Sequence, residues 1–187
     1  MNDTMTLCSI AGYSYESALW KLLIDICDEF LQEEMRGWLI VTPDSVYIED
    51  NTFHIDGTLQ DVMPEFIPPE GISEIDEAAV VWSIGAVACF VSSGHYIFGG
   101  RGGAYQKKHP KVDLPVLRKD HSALTPLVQR CLCYSPAQRI SIKDLKLQAL
   151  KGLEQSEKQK RRETLQIDKS FGKHIVIPDD VWPEKMY

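Results

Sequence analysis

Three stretches of this 187-residue chain decide its predicted fold: Phe66-Ile67-Pro68-Pro69-Glu70, Val80-Val81-Trp82-Ser83-Ile84-Gly85, and Cys131-Leu132-Cys133-Tyr134-Ser135-Pro136-Ala137-Gln138-Arg139. The first contains two prolines and predicts an irregular segment, because proline lacks the amide donor that a helix needs. The second is almost wholly apolar, which is typical of a buried helix. Glu70 and Arg139 carry groups that can form a bidentate ion pair across the fold. The alternative is that the two are unrelated surface residues.

The pattern around these stretches predicts a mainly α-helical domain with a small β-hairpin. Apolar residues recur every three or four positions in the first predicted helix, which has Ser14 as a plausible N-cap. The predicted helices cover about 15–34, 75–91, 124–133 and 142–153. An acidic turn at 49–52 between two apolar runs predicts the hairpin, and Trp38-Leu39-Ile40-Val41 predicts a short strand. We expect the glycines of 99–103 to form an exposed, flexible loop.

Charge is distributed very unevenly along the chain, although the net charge is only −7. Residues 1–80 contain 17 acidic and 2 basic side chains, whereas residues 81–187 contain 10 acidic and 18 basic ones. Two interpretations stay open. The halves can neutralise each other within one domain, or an acidic face can recruit a basic partner segment by long-range attraction.

Cysteine content and hydropathy set the expected environment. The five cysteines form no C-x-x-C pair, and Cys8, Cys27 and Cys89 lie in apolar stretches. We expect reduced, mostly buried thiols in a cytoplasmic protein, with no metal site. No apolar run approaches the roughly 18 residues of a membrane span, so no membrane association is expected.

The order of these elements resembles the C-terminal lobe (C-lobe) of a protein kinase without the N-lobe. Pro68-Pro69-Glu70 resembles the A-P-E motif, and Val80–Gly85 resembles the D-V-W-S-x-G motif of the central helix. The stretch 127–139 resembles the late-lobe pattern that ends in an Arg. The resemblance covers about residues 5–152. It implies that Glu70 pairs with Arg139, and that Trp82 and Gly85 belong to the structural core.

The groups that perform phosphoryl transfer are missing from the sequence. It contains neither a G-x-G-x-x-G-x-V loop, nor a V-A-I-K strand, nor an H-R-D motif, so we predict no catalytic residues and no cofactor. Asp44 and Asp56 fall near the two metal-binding positions and are the weak candidates for nucleotide and Mg²⁺. Asp56 also fits a turn residue at the hairpin exit. Val80 replaces the Asp that braces the catalytic loop in the family, which implies that no brace is needed here.

The chain is thus similar to the kinase non-catalytic C-lobe domain family, whose members bind partner peptides rather than ATP. We predict a C-lobe-like domain over residues 1–153, followed by a charged helical extension and tail over residues 154–187. The expected function is that of a pseudokinase-like interaction module, scaffold or signalling adaptor that binds a protein, for example a basic peptide segment. The predicted interaction surface consists of Glu29, Glu33, Thr42, Asp44 and Asp61.

Four further expectations concern alternative functions, the tail and the histidines. The competing function is a degenerate or split kinase subunit that still binds ATP and Mg²⁺ together with a partner subunit. Nucleic-acid binding through the cations at 158–162 is disfavoured, because acidic residues are interspersed and aromatic ones are absent. The tail, with Ile175-Val176-Ile177 and Trp182, is expected to cover the domain or to pack on a second copy. His95, His109 and His121 are expected at the surface or in loops.

Overall fold

Helices form most of the described chain. A computed structural model describes residues 5–12, 15–32, 39–58 and 62–171, with the backbone alone given for 5, 6, 9 and 163–171. The predicted N-cap Ser14 and the tail after Phe171 lie outside these residues. The helices are α1 (Leu7–Ile10), α2 (Glu16–Leu31), α3 (Glu77–Ser93), α4 (Gly102–Lys108), α5 (Thr125–Cys131) and α6 (Ile142–Phe171).

A small antiparallel sheet combines a short strand before α1 with a hairpin that follows α2. Its order is β1 (Met5–Thr6), β2 (Val46–Glu49) and β3 (Thr52–Ile55), with Val46 opposite Ile55. Asp50 and Asn51 form the tight turn between β2 and β3 with positive φ values of 47° and 61°, as such two-residue hairpin turns require. The predicted mainly helical architecture with a β-hairpin is therefore confirmed.

The strand predicted at 38–41 is wrong for the residues that the structure describes. Leu39 to Thr42 are extended but pair with no strand of the sheet. The place beside β2 is taken by β1, which pairs Met5 with Ile48 and Thr6 with Tyr47. The β-prone residues at 38–41 could not show that the segment stays unpaired, because strand formation depends on whether a partner strand is present.

Helix α3 runs through the centre of the core. Every residue from Ala79 to Ser92 is buried, so the helix is enclosed on all sides rather than along one stripe. Asp76 caps its start by accepting a hydrogen bond from the Ala79 amide at 2.8 Å, and Gly94 ends it in the left-handed conformation. Aspartate is a favoured residue at the start of a helix, and glycine is a favoured residue at its end.

Helices α2 and α6 pack side by side and carry the contacts between the acidic and basic parts of the chain. Asp28 of α2 forms an ion pair with Lys146 of α6. Trp20 of α2 lies against Gly152 of α6, where a Cβ would be only 2.4 Å from the indole. Helix α6 continues past the predicted end at 153 to Phe171. The predicted domain boundary at 153/154 thus falls inside one continuous helix, and the division into two units stays a prediction.

The glycine cluster at 99–103 is not a flexible loop, contrary to the prediction. Gly102 and Gly103 are buried and begin helix α4. The Gly103 amide donates to Ile67 O at 3.0 Å, and a Cβ on Gly103 would lie 2.3 Å from the Pro68 carbonyl carbon. Glycine is present here because α4 touches the backbone of the proline-containing segment directly.

Candidate interaction surface

Glu70 and Arg139 are brought together in a bidentate ion pair. Arg139 Nη2 donates to Glu70 Oε2 at 2.8 Å, and Nη1 donates to Oε1 at 2.5 Å. The Arg139 side chain is 0% exposed, whereas that of Glu70 is 30% exposed. A buried guanidinium needs such a partner, because an uncompensated charge in the interior is costly. The pair therefore holds the turn after Pro69 against the helical core.

Arg139 also satisfies three backbone carbonyls, which ties together parts of the chain far apart in sequence. It donates to Ala78 O at 2.9 Å, to Cys133 O at 2.9 Å and to Tyr134 O at 3.1 Å. Nearby, Glu77 Oε1 accepts from the Ile142 amide at 2.6 Å. The start of α3 is thus bonded both to Arg139 and to the start of α6.

Trp82 and Gly85 lie where α3 meets the end of α5. Trp82 is 0% exposed, and its Nε1 donates to Gln106 Oε1 at 2.9 Å. The same Gln106 donates from Nε2 to Leu132 O at 2.8 Å, so this buried amide links three segments. A Cβ on Gly85 would lie 2.8 Å from the Cβ of Cys131. Only glycine allows this close approach of the two helices.

The extended segment at 39–42 is braced by α3, which the sequence did not indicate. The Val41 amide donates to Ser83 Oγ at 3.0 Å, and Ser83 Oγ donates to Val80 O at 2.8 Å. The interpretation of Val80 as a residue with no catalytic loop to brace stays a prediction. The brace comes from the hydroxyl three residues later on the same helix.

Asp44 and Asp56 lie at the ends of the hairpin but are each engaged locally. The Asp56 amide donates to Ser45 O at 2.7 Å, which places the two acidic residues near one another along the backbone. Asp56 Oδ1 accepts from the Thr58 hydroxyl at 2.6 Å and from the Thr58 amide at 2.9 Å. The bond from the Thr58 hydroxyl, followed by that from its amide, lowers the pKa of Asp56. This is the arrangement of a turn residue.

An exposed acidic face surrounds Asp44. We call Cys8, Asp44, Glu65 and Tyr96 the acidic face. The Cys8 thiol donates to Asp44 Oδ1 at 3.4 Å. Burial raises the pKa of Tyr96, and the electrostatic influence of Cys8, Glu65 and Asp44 raises it further, so these groups lie near its phenol. Tyr96 is 37% exposed.

Aromatic packing fixes the position of Tyr96 on this face. Its ring stacks on Phe90 with centroids 4.9 Å apart, and meets Phe66 edge-on at 5.9 Å. Phe66 and Phe90 are buried. Tyr96 is thereby a rigid, half-exposed aromatic side chain among carboxylates, which is the type of group that anchors protein interfaces.

The other predicted surface residues have different environments. Thr42 is 3% exposed, and its hydroxyl accepts a hydrogen bond from the Ser45 amide. The prediction that Thr42 contacts a partner is therefore wrong. Glu29 Oε1 lies 2.9 Å from His54 Nδ1, which already occupies that carboxylate. Glu33 and Asp61 lie outside the described residues.

A serine and a histidine that sequence analysis did not connect form a buried pair. Ser92 Oγ lies 2.8 Å from His121 Nδ1, and Asp120 Oδ2 lies 3.7 Å from His121 Nε2. The residue types match a Ser-His-Asp constellation. However, Ser92 and His121 are both 0% exposed, so no substrate reaches the hydroxyl. We therefore interpret the pair as structural. The expectation that His121 lies at the surface is wrong.

The described residues also bear on metals and membranes. Within residues 5–12, 15–32, 39–58 and 62–171, no three His, Cys, Asp or Glu side chains are grouped as metal ligands would be. None of the helices in these ranges is long and apolar enough to cross a membrane.

Comparisons with known proteins give no family for this chain. No protein-family model matches it, and a search of curated proteins finds no relative.

Proposed function

We propose that this chain is a non-catalytic, protein-kinase C-lobe-like interaction module that binds a basic peptide segment on its acidic face. The observation that carries the proposal is the buried Glu70–Arg139 pair between an irregular proline segment and the helical core. The two residues are 69 positions apart in the sequence. This spacing and the motifs next to each residue are the basis of the kinase resemblance.

The close contacts around α3 support a scaffold role. Gly85, Trp82 and Ser83 each contact a different segment: α5, Gln106 and Val41. The Ser83–Val41 bond fixes the backbone that leads to Asp44 in the acidic face. Interaction surfaces benefit from such rigid support, because less conformational entropy is lost on binding.

The chemistry of the acidic face favours a cationic partner. Asp44 is exposed, Glu65 is half-buried, and both carboxylates lie near enough to the half-exposed Tyr96 to raise the pKa of its phenol. A Lys or Arg side chain can pair with the carboxylates and pack on the ring, which is a cation–π geometry. The acidic side chains of α2 are less suitable, because Asp25, Asp28 and Glu29 already bind Lys21, Lys146 and His54.

A peptide-binding assay tests this proposal. The probe is a fluorescein-labelled peptide of alternating Arg and Ala, titrated with the full chain. Asp44→Asn combined with Glu65→Gln should weaken binding about tenfold, whereas Glu74→Gln, an exposed acidic residue outside the face, should change little. Equal loss in both variants, or no binding to the wild type, would contradict the proposal.

The second candidate, a split kinase subunit that binds ATP and Mg²⁺, is favoured by one observation. The Ser45–Asp56 backbone bond brings Asp44 and Asp56 to the same end of the hairpin. A thermal-shift assay with ATP and Mg²⁺ separates the two functions. A clear rise in Tm that is absent in Asp56→Asn would support the split kinase subunit and contradict the proposal of an interaction module.

A further inference from the structure

An arginine directly before helix α4 is held in position by two neighbouring groups. Arg101 Nε donates to Phe98 O at 2.9 Å, and its Cζ lies 3.7 Å from the centroid of the Tyr105 ring. Phe98 has a φ of 51°, an unusual value for a non-glycine residue. This strained turn supplies the carbonyl that the Arg101 Nε–H binds. Strain of this kind is concentrated at functional sites.

The outer edge of this guanidinium has no partner among the described residues. Nε is bonded and the flat face is stacked, but neither Nη1 nor Nη2 contacts an acceptor within the part of the chain that the structure describes. Two parallel N–H donors in a fixed plane match the geometry of a carboxylate or a phosphate. Arg139 uses the same two atoms to bind Glu70. Arg101 presents them to solvent instead.

Three lysines follow Arg101 closely in the sequence. Lys107, Lys108 and Lys111 are all exposed, and no carboxylate of the described residues lies within ion-pair distance of any of them. Next to them is an open cavity of about 490 Å³, lined by Tyr105, His109, Pro110, Lys111 and Val112. The basic patch, which we define as Arg101, Tyr105, Lys107, Lys108 and Lys111, thus combines a concave surface with four cations.

We propose that the basic patch is a docking site for an acidic peptide segment of a protein partner, with Arg101 binding one carboxylate in bidentate fashion. The site takes the opposite charge to the acidic face and does not depend on it. The aromatic geometry favours a peptide over single-stranded nucleic acid. The Tyr105 ring already has Arg101 over it and His109 against it, at a centroid distance of 4.4 Å, so it offers no free platform for a base.

The test is fluorescence polarisation with a labelled hexaglutamate peptide and the full chain at low and moderate salt. Binding that weakens with salt is expected, with Arg101→Ala and Arg101→Lys both about tenfold weaker, because lysine cannot form two parallel bonds. Lys108→Ala should weaken binding less. The control is Lys143→Ala, which removes an exposed cation from α6 and should have no effect.

Three results would overturn the proposal. The first is an Arg101→Lys variant that binds as well as the wild type, since this would show that charge attraction alone, and not bidentate binding by Arg101, accounts for the affinity. The second is tighter binding of a labelled dodecathymidine oligonucleotide than of the peptide, which would assign the patch to nucleic acid. The third is an absence of peptide binding to the wild type. Failure of the arginine-containing probe at the acidic face would leave all three readouts unaffected.

Discussion

The Val41 amide donates a hydrogen bond to the Ser83 hydroxyl at 3.0 Å, across 42 residues of sequence. Ser83 is 0% exposed, and its hydroxyl donates a hydrogen bond to Val80 O. One hydroxyl therefore connects the central helix to the extended segment that precedes Asp44. The position of the acidic face depends on this bond, because Thr42 and Ser45 follow directly and form a capped turn.

Replacing Ser83 by alanine should loosen this connection. Ser83→Ala leaves the buried Val41 N–H without an acceptor, which should lower the free energy of unfolding by about 1–3 kcal/mol. Hydrogen exchange measured by NMR should show faster exchange at Val41 than in the wild type. Ser73→Ala, at an exposed position, is the control. Unchanged exchange at Val41 would mean that the bond does not hold the segment.

Loss of the two partners of the Glu70–Arg139 pair should have unequal effects. Arg139→Met removes the charge but leaves three carbonyls unsatisfied, and should cost about 3–5 kcal/mol. Glu70→Gln should cost less, about 2 kcal/mol, because the buried Arg139 guanidinium loses its counter-charge but keeps its three carbonyl acceptors, and the introduced amide oxygen can still accept one of its bonds. Urea denaturation measures both. The reverse order of the two losses would contradict the geometry described here.

A methyl group at position 103 should disrupt the contact between α4 and the proline segment. Gly103→Ala places a Cβ 2.3 Å from the Pro68 carbonyl carbon, and backbone cannot move as a flexible side chain can. We expect a loss of about 2 kcal/mol after allowing for the better helix propensity of alanine. Gly57→Ala is the matched control, since its Cβ would meet only a Leu39 methyl at 3.8 Å. Equal stability of the two variants would exclude a tight contact.

The five thiols should differ sharply in reactivity. Burial raises the pKa of Cys27 and Cys89 to about 12, and burial with neighbouring thiols raises that of Cys131 further. At pH 8 a thiol reagent should therefore label only Cys8 and Cys133 in the folded protein, and all five after denaturation. Mass spectrometry of the labelled peptides checks this. Rapid labelling of Cys131 without denaturant would show that the core opens readily.

The hairpin exit gives a pH-dependent prediction. The Thr58 hydroxyl lowers the pKa of Asp56, so the bond stabilises the fold at pH values above the pKa of Asp56 in the unfolded chain and is lost as pH falls through the folded value. Thr58→Ala should raise the Asp56 pKa towards its ordinary range, though not fully, since the backbone amide still donates. An NMR titration of the carboxyl carbon measures the change, with Asp144 as internal reference. A lower Asp56 pKa in Thr58→Ala than in the wild type would contradict the assignment of the lowered pKa to the Thr58 hydroxyl.

Local pattern was enough to predict most helices but not what packs between them. The 3–4 spacing of apolar residues identified α2, α5 and α6, and the unbroken apolar run identified α3. The Asp50-Asn51 turn was readable because both residues tolerate positive φ. By contrast, Gly102 and Gly103 were read as a loop, because no local signal distinguishes a flexible glycine from one that a distant backbone has selected.

The candidate surfaces were harder to predict because they depend on tertiary contacts. Thr42 was placed at the surface although its hydroxyl closes a buried turn with Ser45. Tyr96 gave no sequence signal, since its role comes from stacking on Phe90. A signal for the basic patch did exist, namely four cations between positions 101 and 111 with a tyrosine among them.

The pairing of acidic and basic halves has a consequence for biosynthesis. Arg139 follows Glu70 by 69 residues, the Ile142 amide follows Glu77 by 65, and Arg118 reaches Gly12 O across 106. At about 5–20 residues per second, the ribosome delivers these three donors many seconds after their acceptors have emerged. We therefore expect the nascent acidic portion to stay open, and the domain to close only when the start of α6 leaves the exit tunnel.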